Sequence, residues 1–364
     1  MVVGRQFGRE RLRRSSEESN RSGMQVVYAP NHRGHRPRHF LVAGALKPSP
    51  ELPERADALL AAVEAAGYRL VQPPACDPGP REAAHSLDYL QFLETIQARW
   101  RRIDGAGAEV VPNVHPARGP AGYPESAVGQ AGYHMADTAC PISEGTWEAV
   151  CASADSAAHA AALLLEGERE VYALRRPPGH HAFADMAGGF CYLNNTAIAA
   201  QRLRDRNARV AILDVDVHHG NGTQAIFYRR PDVLTVSLHA DPASFYPFFW
   251  GYAHEQGDGP GEGANLNIPL ARGTGDKAYL ENLATALERV DAYAPEALVV
   301  ALGLDAYESD PLAGLSITTD GFARIGSAIG SLGLPTALVQ EGGYLSDALG
   351  RNLAAFLSGF LDRR

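Results

Sequence analysis

Five short apolar runs, Val171–Leu174, Val210–Val215, Leu234–Leu238, Leu298–Leu302 and Thr336–Val339, alternate along the chain with Ala- and Leu-rich stretches of helical length. A strand that is apolar at nearly every position has both faces buried, as in parallel sheets whose crossover helices cover both sides. Helical stretches fall near 53–66, 87–100, 146–166, 195–206, 277–293, 320–331 and 347–361. The pattern predicts an α/β fold with a central, mostly parallel sheet and helices on both faces. Regular structure is expected to begin at Val26-Val27-Tyr28, and the absence of a repeat favours one domain over 24–364. In such sheets ligands collect beyond the carboxyl ends of the strands. Gly/Pro-rich loops at 31–50, 104–130 and 239–275 are the places to look for substrate-shaping segments.

Composition narrows the class without naming a reaction. A chain of 364 residues buries enough surface to hold a core without disulfides or a structural metal, so a metal site here would be functional. Cys76, Cys140, Cys151 and Cys191 are scattered with no C-x-x-C pair, which predicts a reducing, cytoplasmic setting. No run of about 18 apolar residues predicts a membrane span. The formal charge of −9 speaks against nucleic-acid partners and allows a cationic substrate. Residues 1–23 are rich in Arg, Ser, Glu and Gly without an apolar period and are expected to be disordered, with Met24 as a possible translation start. The alternative, a basic arm from Arg5 to Arg21, is diluted by Glu10, Glu17 and Glu18.

The chemistry is concentrated where apolar runs end. Asp214-Val-Asp216-Val-His218-His219-Gly-Asn221 follows Val210–Leu213. Asp216 and His218 are two apart, on one face of an extended segment, and their oxygen and nitrogen donors suit Zn²⁺ or a similar divalent ion. Asp305 ends a second run, Leu298–Leu302, and offers a third ligand; three protein ligands with an open position are the mark of a catalytic ion. Arg176-Pro-Pro-Gly-His180-His181 follows a third run in a stiff loop, making the histidines candidates for proton transfer or further ligation. Glu341-Gly-Gly-Tyr344 ends a fourth, with a phenol able to donate to a developing oxyanion.

RPPGHHA (176–182), GGFCYLNN (188–195), LDVDVHHGNGT (213–223), LGLDAYESDP (302–311) and EGGY (341–344), in this order, resemble the zinc-dependent histone deacetylase superfamily with its arginase-like α/β fold. Leu52-Pro-Glu-Arg55, Ser143-Glu-Gly-Thr-Trp147 and Ser237-Leu-His-Ala-Asp-Pro242 make the chain similar, more narrowly, to bacterial acetylpolyamine amidohydrolases. The resemblance implies Asp216, His218 and Asp305 as ligands of Zn²⁺, with Fe²⁺ as the alternative. It implies His181 as general base partnered by Asn221, His180 as its companion held by Asp214, and Tyr344 as the group polarising the amide carbonyl. Phe190 and Tyr246 would be aromatic walls of a substrate tunnel, with Gly189 at its floor. Oxygens of Asp214, Asp216, His218, Ser237 and Leu238 would hold a structural K⁺.

Two departures bear on the substrate. Leu312 and Val128 stand where relatives selective for cationic polyamines carry acidic residues, and Glu125, Asp241, Glu308 and Asp310 are possible substitutes. Several other signals are set aside. His32, His35 and His39 read as a solvated loop, His85 and His159 as structural, and Cys191 as packing; His254-Glu255 lacks the second histidine of H-E-x-x-H. The reading is an amidohydrolase of acetylated amines, most simply acetylpolyamines, acting as a homodimer whose loop 31–50 constricts the tunnel. The rivals are an acetyl-lysine deacetylase, a non-catalytic acyl-amine binder, and a two-metal ureohydrolase requiring more carboxylates near His219 and Asp305.

Overall fold

The apolar runs become the middle of an eight-stranded parallel sheet. The computed structural model describes residues 23–74, 78–117 and 122–362, so Cys76 and all but Gly23 of the stretch expected to be disordered lie outside the described residues. The strands are β1 (Gln25–Tyr28), β2 (His39–Val42), β3 (Ala45–Pro48), β4 (Arg69–Val71), β5 (Glu170–Leu174), β6 (Val210–Asp214), β7 (Val233–Ala240), β8 (Asn265–Leu270), β9 (Ala297–Leu302) and β10 (Thr336–Gln340). The large sheet runs β4-β1-β5-β10-β9-β6-β7-β8, and β2 and β3 form a separate antiparallel hairpin.

Two-residue alternation divides each central strand between two cores. Along β9, Leu298, Val300 and Leu302 enter one apolar cluster, whereas Ala297 and Val299 enter the other. The first cluster is completed by helices Pro53–Ala65, Asp276–Tyr293, Thr319–Gly330 and Leu349–Leu361. The second is completed by Leu87–Trp100, Thr146–Leu165 and Asn195–Arg204. All seven lie within two residues of their predicted bounds, helped by side-chain caps such as Ser86 accepting from Tyr89 N and Asn194 from Ala197 N.

The long loops hold structure that periodicity does not disclose. The hairpin β2–β3 lies in 31–50 and buries almost nothing, so its sequence carries no inside–outside alternation. Strand β8 lies in 239–275; it is an edge strand that tolerates Pro269 and turns Asn265 and Asn267 toward Gln224 and Glu255.

The first loop also corrects an expectation. His32 and His35 are buried, while His39 is exposed. The Arg176 guanidinium donates to the carbonyls of both His32 and His35 at 2.7 Å, and His35 Nδ1 lies 3.0 Å from Thr146 Oγ1. Glu51 is the counter-charge, 2.5 Å from Arg176 and 2.8 Å from Arg55. Burial alone would raise the Glu51 carboxyl, but Arg176 and Arg55 outweigh it and hold it down at about 2. Its ionised form therefore stabilises the fold fully above the ordinary carboxylate range, and that contribution is lost as pH falls toward 2. Glu51→Gln should cost about 3–5 kcal/mol at pH 7 by leaving two buried guanidiniums underpaired. The gap between wild type and variant in chemical denaturation should shrink between pH 5 and 2; a constant gap would refute the assignment.

Candidate active site

After β5 the chain crosses to β6, and only later do β9 and β10 return to fill the space between them. The carboxyl ends of β5, β10, β9 and β6 thus meet where strand order reverses, the place at which an open α/β sheet forms a crevice. Four segments leave those ends: 175–182, 341–344, 303–305 and 215–220.

Asp216, His218 and Asp305 bring their ligand atoms within 4.8 Å of one another, and all three are buried. His218 Nδ1 is 3.1 Å from Asp216 Oδ1 and 3.2 Å from Asp305 Oδ2. The backbone orients the carboxylates: Gly342 N donates to Asp216 Oδ2 at 2.8 Å and Val217 N to Asp305 Oδ1 at 3.1 Å. Gly342 is required by this approach, since a Cβ there would stand 2.1 Å from Asp305 Oδ2. Asp305 Oδ2 is buried without a hydrogen bond, and burial together with the Asp216 charge raises its carboxyl above the ordinary range. Two buried carboxylates, one imidazole and an oxygen lacking a partner fit a divalent cation.

The paired histidines have different partners. His180 Nδ1 donates to the Asp214 carboxylate at 2.9 Å, and His181 Nδ1 to Asn221 Oδ1 at 2.7 Å. Burial opposes charge on His180, yet Asp214 and Asp216 overcome it and push it up to about 10. Burial takes His181 well below its ordinary value, reinforced by His180 and His218. With Asn221 fixing the Nδ1 hydrogen, Nε2 of His181 is the basic nitrogen.

One buried carboxylate sets the loop that carries these rings. Glu341 accepts from Gly179 N at 2.6 Å, His180 N at 3.2 Å, Thr196 Oγ1 at 2.7 Å and Arg175 Nη2 at 2.5 Å. Three residues on is Tyr344, nearly fully buried, whose backbone N donates to Asp310 Oδ2 at 2.9 Å. Arg55 donates to the carbonyls of Glu341 and Gly343 and lies 4.6 Å over the Tyr344 ring. His180, His181, Asp216, His218, Asn221, Asp305 and Tyr344 all line one cavity of about 810 Å³.

The chain matches the family model described as the histone deacetylase domain over residues 49–360. It belongs to the histone deacetylase family. It is 46% identical to an acetylpolyamine amidohydrolase of Burkholderia pseudomallei, across 93% of this chain and 98% of that one. It is 42% identical to that of Mycoplana ramosa, across 92% and 99% respectively. The crystal structure of acetylpolyamine aminohydrolase from Burkholderia pseudomallei superposes with a TM-score of 0.91 at 45% identity, covering 94% of this chain and 99% of that one.

Within this histone deacetylase fold, Gly189, Phe190, Tyr246 and Leu312 also line the cavity. The Phe190 ring packs 5.4 Å from Phe40 and 5.9 Å from Tyr344, and the Tyr246 ring 4.9 Å from His181. Asp214 and Ser237 are register partners on β6 and β7, which brings two of the side chains expected around K⁺ together; the Ser237 hydroxyl is also 2.8 Å from His239 Nδ1. Val128 lies on helix Ala127–His134, packed against the second core cluster rather than in the cavity. Asp310 is not a free rim acid: its carboxylate is occupied by the backbone N of Leu312 and Tyr344. Glu125, Asp241 and Glu308 do not line the cavity.

Sequence reasoning passed over Phe40, Asp137, Phe245, Arg175 and Glu341. Phe40, Asp137 and Phe245 line the cavity, with the Phe245 ring stacked 5.0 Å from His218. Glu341 opens the EGGY motif and Arg175 immediately precedes RPPGHHA, and their charge at an apolar strand end is the available signal. Beside His219 stand His239, Gln224 and Asn267, and His219 belongs to neither cluster of metal-ligating side chains found among the described residues. No helix among the described residues is long and apolar enough to cross a membrane.

Proposed function

We propose that the chain hydrolyses the acetyl amide of acetylated amines and that acetylpolyamines are its substrates. The observation that carries this reading is the joining of His180, His181 and Tyr344 with the Asp216–His218–Asp305 group in one cavity whose walls are aromatic. Relatives matched along nearly their full length and named for acetylpolyamine hydrolysis support the substrate class.

Zn²⁺, or Fe²⁺ in its place, held by Asp216, His218 and Asp305 would supply Lewis acidity toward a carbonyl oxygen and a water. Nε2 of His181 takes the proton of the attacking water and passes it to the departing amine nitrogen, with Asn221 holding the ring throughout. His180, bound to Asp214, keeps positive charge beside the reaction centre. The Tyr344 hydroxyl donates to the carbonyl oxygen as its charge grows. A K⁺ at Asp214, Asp216, His218, Ser237 and Leu238 would stiffen the segment that carries two of the ligands.

A homodimer belongs to the same reading. Leu41, Val42 and Leu46 of the hairpin and Phe248 and Phe249 are exposed, and all but Leu46 line the cavity. A second subunit would cover these residues and narrow the entrance. Full activity of a sedimenting monomer would rule this out.

One observation favours the acetyl-lysine alternative: Leu312 at the cavity and Val128 outside it leave no acidic group at those two places to meet a distant ammonium. The deciding measurement is kcat/KM of the Zn²⁺-loaded protein on N-acetylputrescine, N8-acetylspermidine and an acetyl-lysine peptide. Preference for the free polyamines by about tenfold or more, some 1.4 kcal/mol, is expected. The reverse preference would transfer the protein to the acetyl-lysine deacetylases.

A further inference from the structure

We propose that Asp137 is a positioning residue that sets the bore of the tunnel, latching Tyr246 to the turn that presents Phe190 and so selecting straight amine chains over branched ones. This rests on the acetylated-amine reading for its substrate, though not for its geometry.

Phe190 sits on a costly piece of backbone. Gly188 and Cys191 exchange backbone hydrogen bonds at 2.8 and 3.0 Å, which closes a two-residue turn around Gly189 and Phe190. Both central residues have positive φ, +52° and +67°. Glycine takes that conformation readily, but a bulky aromatic residue does so only when its surroundings hold it there. The reward is an aromatic side chain presented from a turn directly into the cavity.

Asp137 is the group that holds the turn. Its Oδ2 accepts from Gly189 N at 3.1 Å and from the Tyr246 hydroxyl at 2.7 Å, while Oδ1 accepts from Ala139 N at 2.8 Å. The carboxylate is itself anchored beside the turn, because Ala136 N donates to Ala187 O at 2.7 Å. One oxygen therefore bridges the two aromatic walls, which come from distant parts of the chain.

The fit is close on the Tyr246 side. A Cβ at position 189 would stand 2.8 Å from the Tyr246 hydroxyl and 2.5 Å from the His181 ring. Tyr246 also packs edge-on against His181 at 4.9 Å, so the latch holds a wall against the group assigned as general base. A phenylalanine at 246 would keep the wall and lose the bridge. The hydroxyl, not the ring, is what Asp137 reads.

The test is a double-mutant cycle on the Zn²⁺-loaded protein with Tyr246→Phe, Asp137→Ala and both together. Two readouts are taken with a straight chain and a ring-bearing chain. The first is kcat/KM on N-acetylputrescine and on monoacetylated 1,4-bis(aminomethyl)cyclohexane. The second is calorimetric affinity for N-butylacetamide and N-(cyclohexylmethyl)acetamide, which needs no turnover. Each single substitution should reduce the straight-over-ring ratio by about five- to tenfold, and the pair should reduce it no further. Thermal unfolding of Tyr246→Phe should stay within a few degrees of wild type, which separates a lost latch from a damaged fold. An unchanged ratio in Tyr246→Phe, or additive effects in the pair, would overturn the proposal. Wild type that turns over neither amine would sink the substrate reading, while the affinity ratio would still judge the latch.

Discussion

Tyr344→Phe is expected to lower kcat on an acetylated amine by about 10²–10³, with KM changed only a few-fold. The substitution removes one oxygen and leaves the ring where it is, packed 5.9 Å from Phe190 with the Arg55 guanidinium 4.6 Å above it. The backbone at that position is held separately, through Asp310 and through the two carbonyls that Arg55 binds. Burial raises the phenol well above its ordinary value, so at neutral pH it is a donor and not a phenolate. A donor aimed at charge that develops only in the transition state affects kcat rather than ground-state affinity. Steady-state kinetics on a variant with unaltered thermal unfolding is the check. Unchanged turnover would strip Tyr344 of its role and leave carbonyl polarisation to the metal group alone.

An effect at least as large is expected at Asp305. Wild-type protein should carry about one transition-metal ion per chain, and Asp305→Asn should carry far less while losing nearly all turnover. The amide keeps the shape and can still accept from Val217 N, as Oδ1 does now. It removes an anionic ligand and the like-charge contact between two buried carboxylates. The metal-free variant should therefore unfold at the same temperature as metal-free wild type, or higher. Elemental analysis, activity after chelation and zinc readdition, and thermal unfolding of the two metal-free proteins read these outcomes separately. Full metal content in the variant would disprove Asp305 as a ligand. Two ions per wild-type chain would revive the two-metal ureohydrolase.

The sheet was legible because its physics is local. Burial on both faces demands apolar residues at successive positions, and the runs that became β5, β6, β7, β9 and β10 show this without reference to anything distant. The polar residues that break off each run were equally plain, and Asp216, His218, Asp305, His180, His181 and Tyr344 do converge in one cavity. The hairpin β2–β3 and edge strand β8 escaped notice because exposure or a polar network replaces the apolar pattern there.

His32 and His35 show the limit from the other side. Nothing in 31–50 announces that these rings are buried; Arg176, at a strand end far along the chain and paired with Glu51 just past the loop, holds the backbone around them. Asp137 was passed over for the same reason, since its neighbours Gly189 and Tyr246 lie 52 and 109 residues away.

Sequence alone determined the parallel sheet, the family resemblance and the identities of the residues gathered at the strand ends, because strand burial and motif spacing are written in neighbouring positions. The resemblance already implied Asp214 for His180 and Asn221 for His181, and the structure pairs them so. Tertiary structure alone decided on Glu341 for the loop that carries the histidines and Asp137 for the tunnel walls. Those last two pairings depend on strand order and crossover, which bring Glu341 to Gly179 across 162 residues and Asp137 to Tyr246 across 109, and leave no local trace.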